Sequence, residues 1–215
     1  EQTFTQNYNT TKTIANPTRT GYTFTGWTVD GGSLSGTTYT FGATNATLTA
    51  NWTIISYTIS YTTNDGTWAT DYTAPTSYNI TSSTITLPTA SNIVRTGYTF
   101  NGWYTSSSFS GDAVTSIATG STGNKTFYAK WTINSYTLRF TSVNTSWTKD
   151  VSVTFGENGT APSLTKTLYG YNYNIYQFNN WTLGSTTYNA GSAITVNASL
   201  VANANSDKVI TFSEN

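Results

Sequence analysis

Arg19-Thr20-Gly21-Tyr22-Thr23-Phe24-Thr25-Gly26-Trp27 returns almost unchanged as Arg95-Thr96-Gly97-Tyr98-Thr99-Phe100-Asn101-Gly102-Trp103. A block of this length repeated inside 215 residues marks a tandem architecture. Each copy is followed by a Gly/Ser-rich stretch and then by an alternating segment that closes on Trp. The first closing segment is Leu48-Thr49-Ala50-Asn51-Trp52-Thr53; the second is Phe127-Tyr128-Ala129-Lys130-Trp131-Thr132. A third, worn copy reads Tyr176-Gln177-Phe178-Asn179-Asn180-Trp181. Its closing segment is expected to end at Ala202-Asn203, with Ala204 where the final Trp would stand.

The stretches between these blocks read as strands. Tyr57-Thr58-Ile59-Ser60-Tyr61 and Tyr136-Thr137-Leu138-Arg139-Phe140 alternate apolar and polar residues with period two and are rich in β-branched and aromatic types. Ile85-Thr86-Leu87-Pro88 reads as a strand ending at a proline, and Asn64-Asp65-Gly66 and Asp30-Gly31-Gly32 as turns. No long segment carries a 3.6-residue apolar period, so helix is expected to be short or absent.

Composition narrows the function. The chain has 9 basic and 9 acidic residues and no His, Cys or Met. Zinc, haem and thiol chemistry lose their usual ligands and nucleophiles, so no cofactor, metal or catalytic residue is expected. A net charge of zero leaves no electrostatic footprint for nucleic acid or an anionic membrane. No apolar run reaches the ~20 residues of a membrane helix. Polarity alone would suggest disorder, but 7 Trp, 16 Tyr and 10 Phe argue for a packed β fold. A Thr-, Tyr- and Asn-rich chain of low charge suits the cell exterior, and the missing initiator Met is read as a processed or excised N-terminus. Nine Asn-x-Ser/Thr sequons occur; in a chain this rich in Asn and Thr many arise by chance, and modification would need a eukaryotic-type secretory route.

The shared pattern (an opening strand, R-T-G-Y-T-F-x-G-W, a Gly-rich turn and a closing L-x-A-x-W-T) resembles the Listeria–Bacteroides repeat, the B-repeat of the internalin family. The resemblance covers nearly the whole chain, weakly in the third copy. It implies small β-grasp-like modules in tandem on a bacterial surface protein, acting as spacers or interaction modules without enzymatic activity. The expected fold class is therefore mostly β, with three tandem small β-grasp-like domains in an elongated row. Their expected bounds are residues 1–53, 54–132 and 133–206.

Aligning the copies exposes a mismatch. Copy one has only 18 residues before Arg19, and Gln2-Thr3-Phe4-Thr5 aligns with the second strand of a repeat; its opening strand is missing. At the other end, Val209-Ile210-Thr211-Phe212 matches Thr58-Ile59-Ser60-Tyr61 and Thr137-Leu138-Arg139-Phe140 position for position. Residues 207–215 thus read as a spare opening strand. The expectation that follows is donor-strand complementation: Lys208, Val209, Ile210, Thr211 and Phe212 of one subunit complete the first domain of the next. The acceptor residues would be Phe4, Tyr22, Phe24, Trp27, Leu48 and Trp52. Three domains in line span on the order of 90 Å, whereas nine extended residues reach about 30 Å. Pairing would then run between molecules and give a filament.

The leading functional expectation is a structural subunit of an extracellular bacterial filament, whose partners are other copies of itself. The alternative is a stalk or adhesin fragment that binds a host surface protein or glycan. Its contact surface would be Tyr169, Tyr171, Tyr173 and Tyr176, a cluster the other copies lack. Neither reading involves nucleic acid or membrane insertion.

Overall fold

The computed structural model describes residues 2–143, 146–163 and 179–214. It is mostly β, as composition and periodicity predict. In the first repeat the strands are β1 (Thr11–Thr13), β2 (Tyr22–Asp30), β3 (Ser33–Ser35), β4 (Thr38–Thr40) and β5 (Thr47–Ile54). The second carries β6 (Tyr57–Thr62), β7 (Thr67–Trp68), β8 (Ser77–Tyr78), β9 (Ile85–Thr86), β10 (Ile93–Val94), β11 (Tyr98–Tyr104), β12 (Ser116–Ile117) and β13 (Lys125–Ile133). The third carries β14 (Ser135–Thr141), β15 (Thr148–Thr154), β16 (Asn158–Thr160), β17 (Trp181–Leu183), β18 (Thr186–Tyr188), β19 (Ala193–Thr195), the four-residue helix α1 (Ala198–Val201) and β20 (Val209–Glu214). That helix is the single one among the described residues.

The main sheet of the second repeat has the order β11-β13-β6-β8, and that of the third β15-β14-β20-β17-β18. At the centre of each lies a parallel pair: β6 beside β13, and β14 beside β20. The flanking pairs are antiparallel. The register makes the two repeats equivalent residue by residue. Ile59 faces Lys125 and Tyr61 faces Phe127; Leu138 faces Ile210 and Phe140 faces Phe212. Trp103 faces Ala129, and Trp181 faces Glu214.

The repeated F-x-G-W has a geometric reason. The β2–β5 register shifts between Phe24 and Gly26, and the β11–β13 register between Phe100 and Trp103. Residues three apart on a regular strand point to opposite faces, and the bulge's extra residue returns Phe and Trp to one face. Phe24 and Trp27 consequently meet edge to face at 5.4 Å, as do Phe100 and Trp103. The closing Trp sits directly across from the Phe, Trp52 at 5.5 Å and Trp131 at 5.2 Å. The motif is thus an aromatic triangle drawn from two strands.

Burial distinguishes the repeats. Repeat two packs Ile59, Tyr78, Leu87, Ile93, Trp103, Ile117, Phe127 and Ala129 into one core. Repeat three packs Leu138, Phe140, Val153, Trp181, Ile194, Val196, Ile210 and Phe212 with further residues into another. In repeat one the only fully buried hydrophobic side chain among the described residues is Tyr39, and the sheet β2-β5 has two strands.

Two expectations are corrected here. First, the strand at 209–214 is no spare. It is the closing strand of repeat three, hydrogen-bonded to β14 on one edge and β17 on the other. Ile210 and Phe212 are 0% exposed, and Phe212 stacks on Phe140 at 4.8 Å. The bounds 133–206 and 207–215 therefore divide a single sheet. Ala202-Asn203 does not close that repeat; it follows α1, on the connection leading to β20. Second, residues 2–5 form no strand, β1 being the first. In repeats two and three the strand paired with the outer edge of the opening strand is β8 or β15. Among the described residues no strand pairs with residues 2–5.

Candidate functional site

Two features recur or fail to recur from repeat to repeat, and both concern how repeats join. The first is built on the R-T-G-Y turn. Arg19 lies over the ring of Tyr22 at 3.8 Å, and Arg95 over Tyr98 at 3.9 Å. Between them Gly21 and Gly97 hold φ of +79° and +81°, a region where a Cβ is strained. Their carbonyls accept from the backbone N–H of Ile55 and Asn134, at 2.9 and 2.8 Å, on the chain leading into the next repeat.

The glycines also serve as seats. A Cβ on Gly21 would lie 2.6 Å from the Ile80 side chain, and one on Gly97 would lie 2.3 Å from the Phe155 ring. Ile80 and Phe155 belong to the following repeat. By register they are equivalent, each two residues beyond the partner of the opening aromatic, since Tyr78 faces Tyr57 and Val153 faces Tyr136. Phe155 also meets Tyr98 edge to face at 6.0 Å, and its backbone N–H donates to Asn134 at 2.9 Å. The same joint is therefore made twice.

The second feature is the edge of β5. In repeats two and three the closing strand has an opening strand on its far side; β5 pairs with β2 and has no other strand among the described residues. The proposed acceptor residues fall accordingly. Tyr22, Phe24, Trp27, Leu48 and Trp52 are only partly buried, and Phe4 is 44% exposed under the Lys12 ammonium at 4.2 Å. Trp103 and Trp181, equivalent to Trp27, are 1% and 0% exposed. Their indole N–H groups donate to Pro88 and Pro162 carbonyls, both at 2.7 Å. The Trp27 indole nitrogen is buried without such a bond.

Other parts of a complete repeat come from the opening segment too. Trp131 donates to the Thr63 carbonyl at 2.9 Å, and Arg95 pairs with exposed Asp65 at 3.0 Å. Tyr61 packs on Trp103 at 5.0 Å. Burial, with Tyr72 as the smaller influence, pushes the Tyr61 phenol up to about 12.

The proposed donor residues stand inside repeat three. Lys208, at φ +60°, donates its ammonium to Asn134 Oδ1 at 2.8 Å and accepts from Thr137 N–H at 3.0 Å through its carbonyl. Val209 is half-buried and Thr211 exposed. Tyr169, Tyr171, Tyr173 and Tyr176 lie outside the described residues. Among the described residues no group of three or more His, Cys, Asp or Glu could hold a metal ion.

The twice-made turn and bulged closing pair match a known family profile, the Listeria-Bacteroides repeat domain, over residues 1–55 and 57–130. The chain belongs to the Listeria–Bacteroides repeat family. Repeat three lies beyond the matched residues and joins the series through its sheet topology and register. This Listeria–Bacteroides repeat chain is similar to two proteins of Evansella cellulosilytica. One, named "Putative Gly-rich membrane protein", is 34% identical over 161 residues, 68% of this chain and 18% of that protein. The other, named "Putative membrane protein", is 34% identical over 116 residues, 54% of this chain and 16% of that protein. The chain thus spans less than a fifth of either relative. Among the described residues no helix is long and apolar enough to cross a membrane.

Proposed function

We propose that the chain is a non-catalytic spacer segment of an extracellular bacterial surface protein, in which small β-grasp-like repeats are locked to one another in series. The observation that carries this reading is the joint made twice, Ile80 on Gly21 and Phe155 on Gly97. A flexible string of domains needs no such seat, whereas a stalk that holds a distal part away from the cell does. The central parallel pair supports the β-grasp-like description, and the names of the relatives support a surface setting.

Polymerisation by donation of β20 has a balance against it. Moving β20 to another molecule would uncover Leu138, Phe140 and Trp181 in repeat three while covering repeat one, one vacancy exchanged for another. It would also put a closing strand where an opening strand belongs.

Limited proteolysis tests the spacer. The junction at residues 133–135 should resist cleavage in the native chain and become the first site cut in Gly97→Ala. Native chain cut there as fast as the variant would refute a locked joint.

A further inference from the structure

The outer face of the β11–β13 pair carries a group of side chains that serves neither the core of repeat two nor its joint to repeat three. Trp103 and Ala129 face each other in register and are buried in the core. The next pair along, Tyr104 and Tyr128, therefore points to the opposite face. Lys130 shares that face with Tyr128, two residues away on the same strand. Its ammonium lies 5.0 Å from the centroid of the Tyr104 ring and 6.0 Å from that of Phe109. Phe109 in turn meets Tyr104 edge to face at 5.7 Å. All three rings are half-buried.

The sheet does not need these rings. In repeat one Thr28 faces Thr49 where Tyr104 faces Tyr128, and in repeat three Thr182 faces Ser213. The counterpart of Lys130 is Asn51, which donates to the Thr28 hydroxyl at 2.8 Å. Phe109 also holds a φ of +56°, a conformation that bulky side chains rarely adopt. Backbone held in such a region clusters at functional sites. Here the Ser-rich loop fixes it: Phe109 N–H donates to the Ser106 carbonyl at 3.0 Å, and the Ser106 and Ser108 hydroxyls lie 2.8 Å apart.

The group is left open toward a ligand. Among the described residues no carboxylate pairs with Lys130, and the Tyr104 and Tyr128 hydroxyls have no hydrogen-bond partner. On the neighbouring strand exposed Thr62 faces Tyr128 and exposed Ser60 faces Thr126, so hydroxyls border the rings. Three half-covered rings leave on the order of 300 Å², well short of the roughly 800 Å² per partner of a stable protein interface. One cation is also too few to track a nucleic-acid backbone. Rings, bordering hydroxyls and a single ammonium instead complement a small ring with an apolar face, a hydroxyl edge and one negative charge.

We infer that this face of repeat two binds an acidic polysaccharide through its hexuronate residues. The C–H face of the sugar lies on the Tyr128 ring, its hydroxyls reach Thr62 and Ser60, and its carboxylate meets the Lys130 ammonium. Tyr104 and Phe109 hold that ammonium through its charge, and it keeps N–H donors for the carboxylate. A polyol phosphate would bring the charge without the ring, and a neutral glycan the ring without the charge. The contact adds a ligand to a chain otherwise read as a spacer.

NMR titration of the whole chain with oligogalacturonate tests this, with the carboxyl-reduced oligomer as the neutral control. The acid oligomer should shift the amides of Thr62, Tyr104, Tyr128 and Lys130. Lys130→Asn should weaken it about fivefold, the upper end for an exposed ion pair, and leave the neutral oligomer unchanged. Tyr104→Thr combined with Tyr128→Thr should weaken both oligomers at least about tenfold. Repeat one carries these same residue types in the same register, and unchanged exchange protection of the β13 amides would show the sheet intact. No shift with the acid oligomer, equal affinity for the two oligomers, or binding that survives the paired Tyr substitution overturns the proposal.

Discussion

Gly97, part of the repeated block in the sequence, is in the structure a contact between repeats. Its positive φ alone makes Ala costly there by about 1–2 kcal/mol, and a Cβ would also strike the Phe155 ring. Gly97→Ala should therefore destabilise the junction by more than the backbone cost. Adding Phe155→Ala should recover part of the loss, a coupling that a double-mutant cycle of denaturant unfolding reads directly. Tyr61 makes the opposite case. Its hydroxyl is buried without a partner, so Tyr61→Phe should leave stability unchanged or raised, since an unsatisfied polar group leaves the core. The folded phenol titrates at about 12, above its ordinary value of 10. The native state thus holds the proton more tightly, and the stability linked to it is complete below pH 10 and declines as pH rises toward 12. Thermal unfolding between those values should show that decline in the native chain and a flatter profile in Tyr61→Phe.

β20 is the element on which reading the sequence and seeing the sheet diverge. Val209-Ile210-Thr211-Phe212 matches opening strands because opening and closing strands are parallel neighbours at the centre of one sheet, with the same alternation of buried and exposed positions. Periodicity reports burial, not pairing partner. The marker that would have named it a closing strand, the Ala of A-x-W, is replaced by Glu214, which faces Trp181 and accepts from Ser142 Oγ. The first two repeats were legible because their closing strands keep Ala and Trp; the bulge at F-x-G-W shows only in the register. Ile210 and Phe212 each contribute about 1.5–3 kcal/mol by burial. Deleting residues 207–215 should therefore unfold repeat three, exposing Trp181 to quencher, while the amides of β13 keep their exchange protection. A folded repeat three in that deletion would return β20 to the role of a spare.

At the level of the whole chain, each repeat is stabilised by contacts with its neighbour, as in other tandem arrays. Low charge suits this, since like repeats stacked in series repel little. The purpose of the R-T-G-Y turn was not visible in the sequence, because Ile80 and Phe155 share no residue type and lie far along the chain from the glycines they cover. Only the common register of β8 and β15 reveals them as one position. The most direct measurement is of residual dipolar couplings on the intact chain, fitted separately to the amides of repeats two and three. A locked joint predicts one shared alignment tensor for both, splitting into two in Gly97→Ala. Two different tensors in the native chain would contradict it.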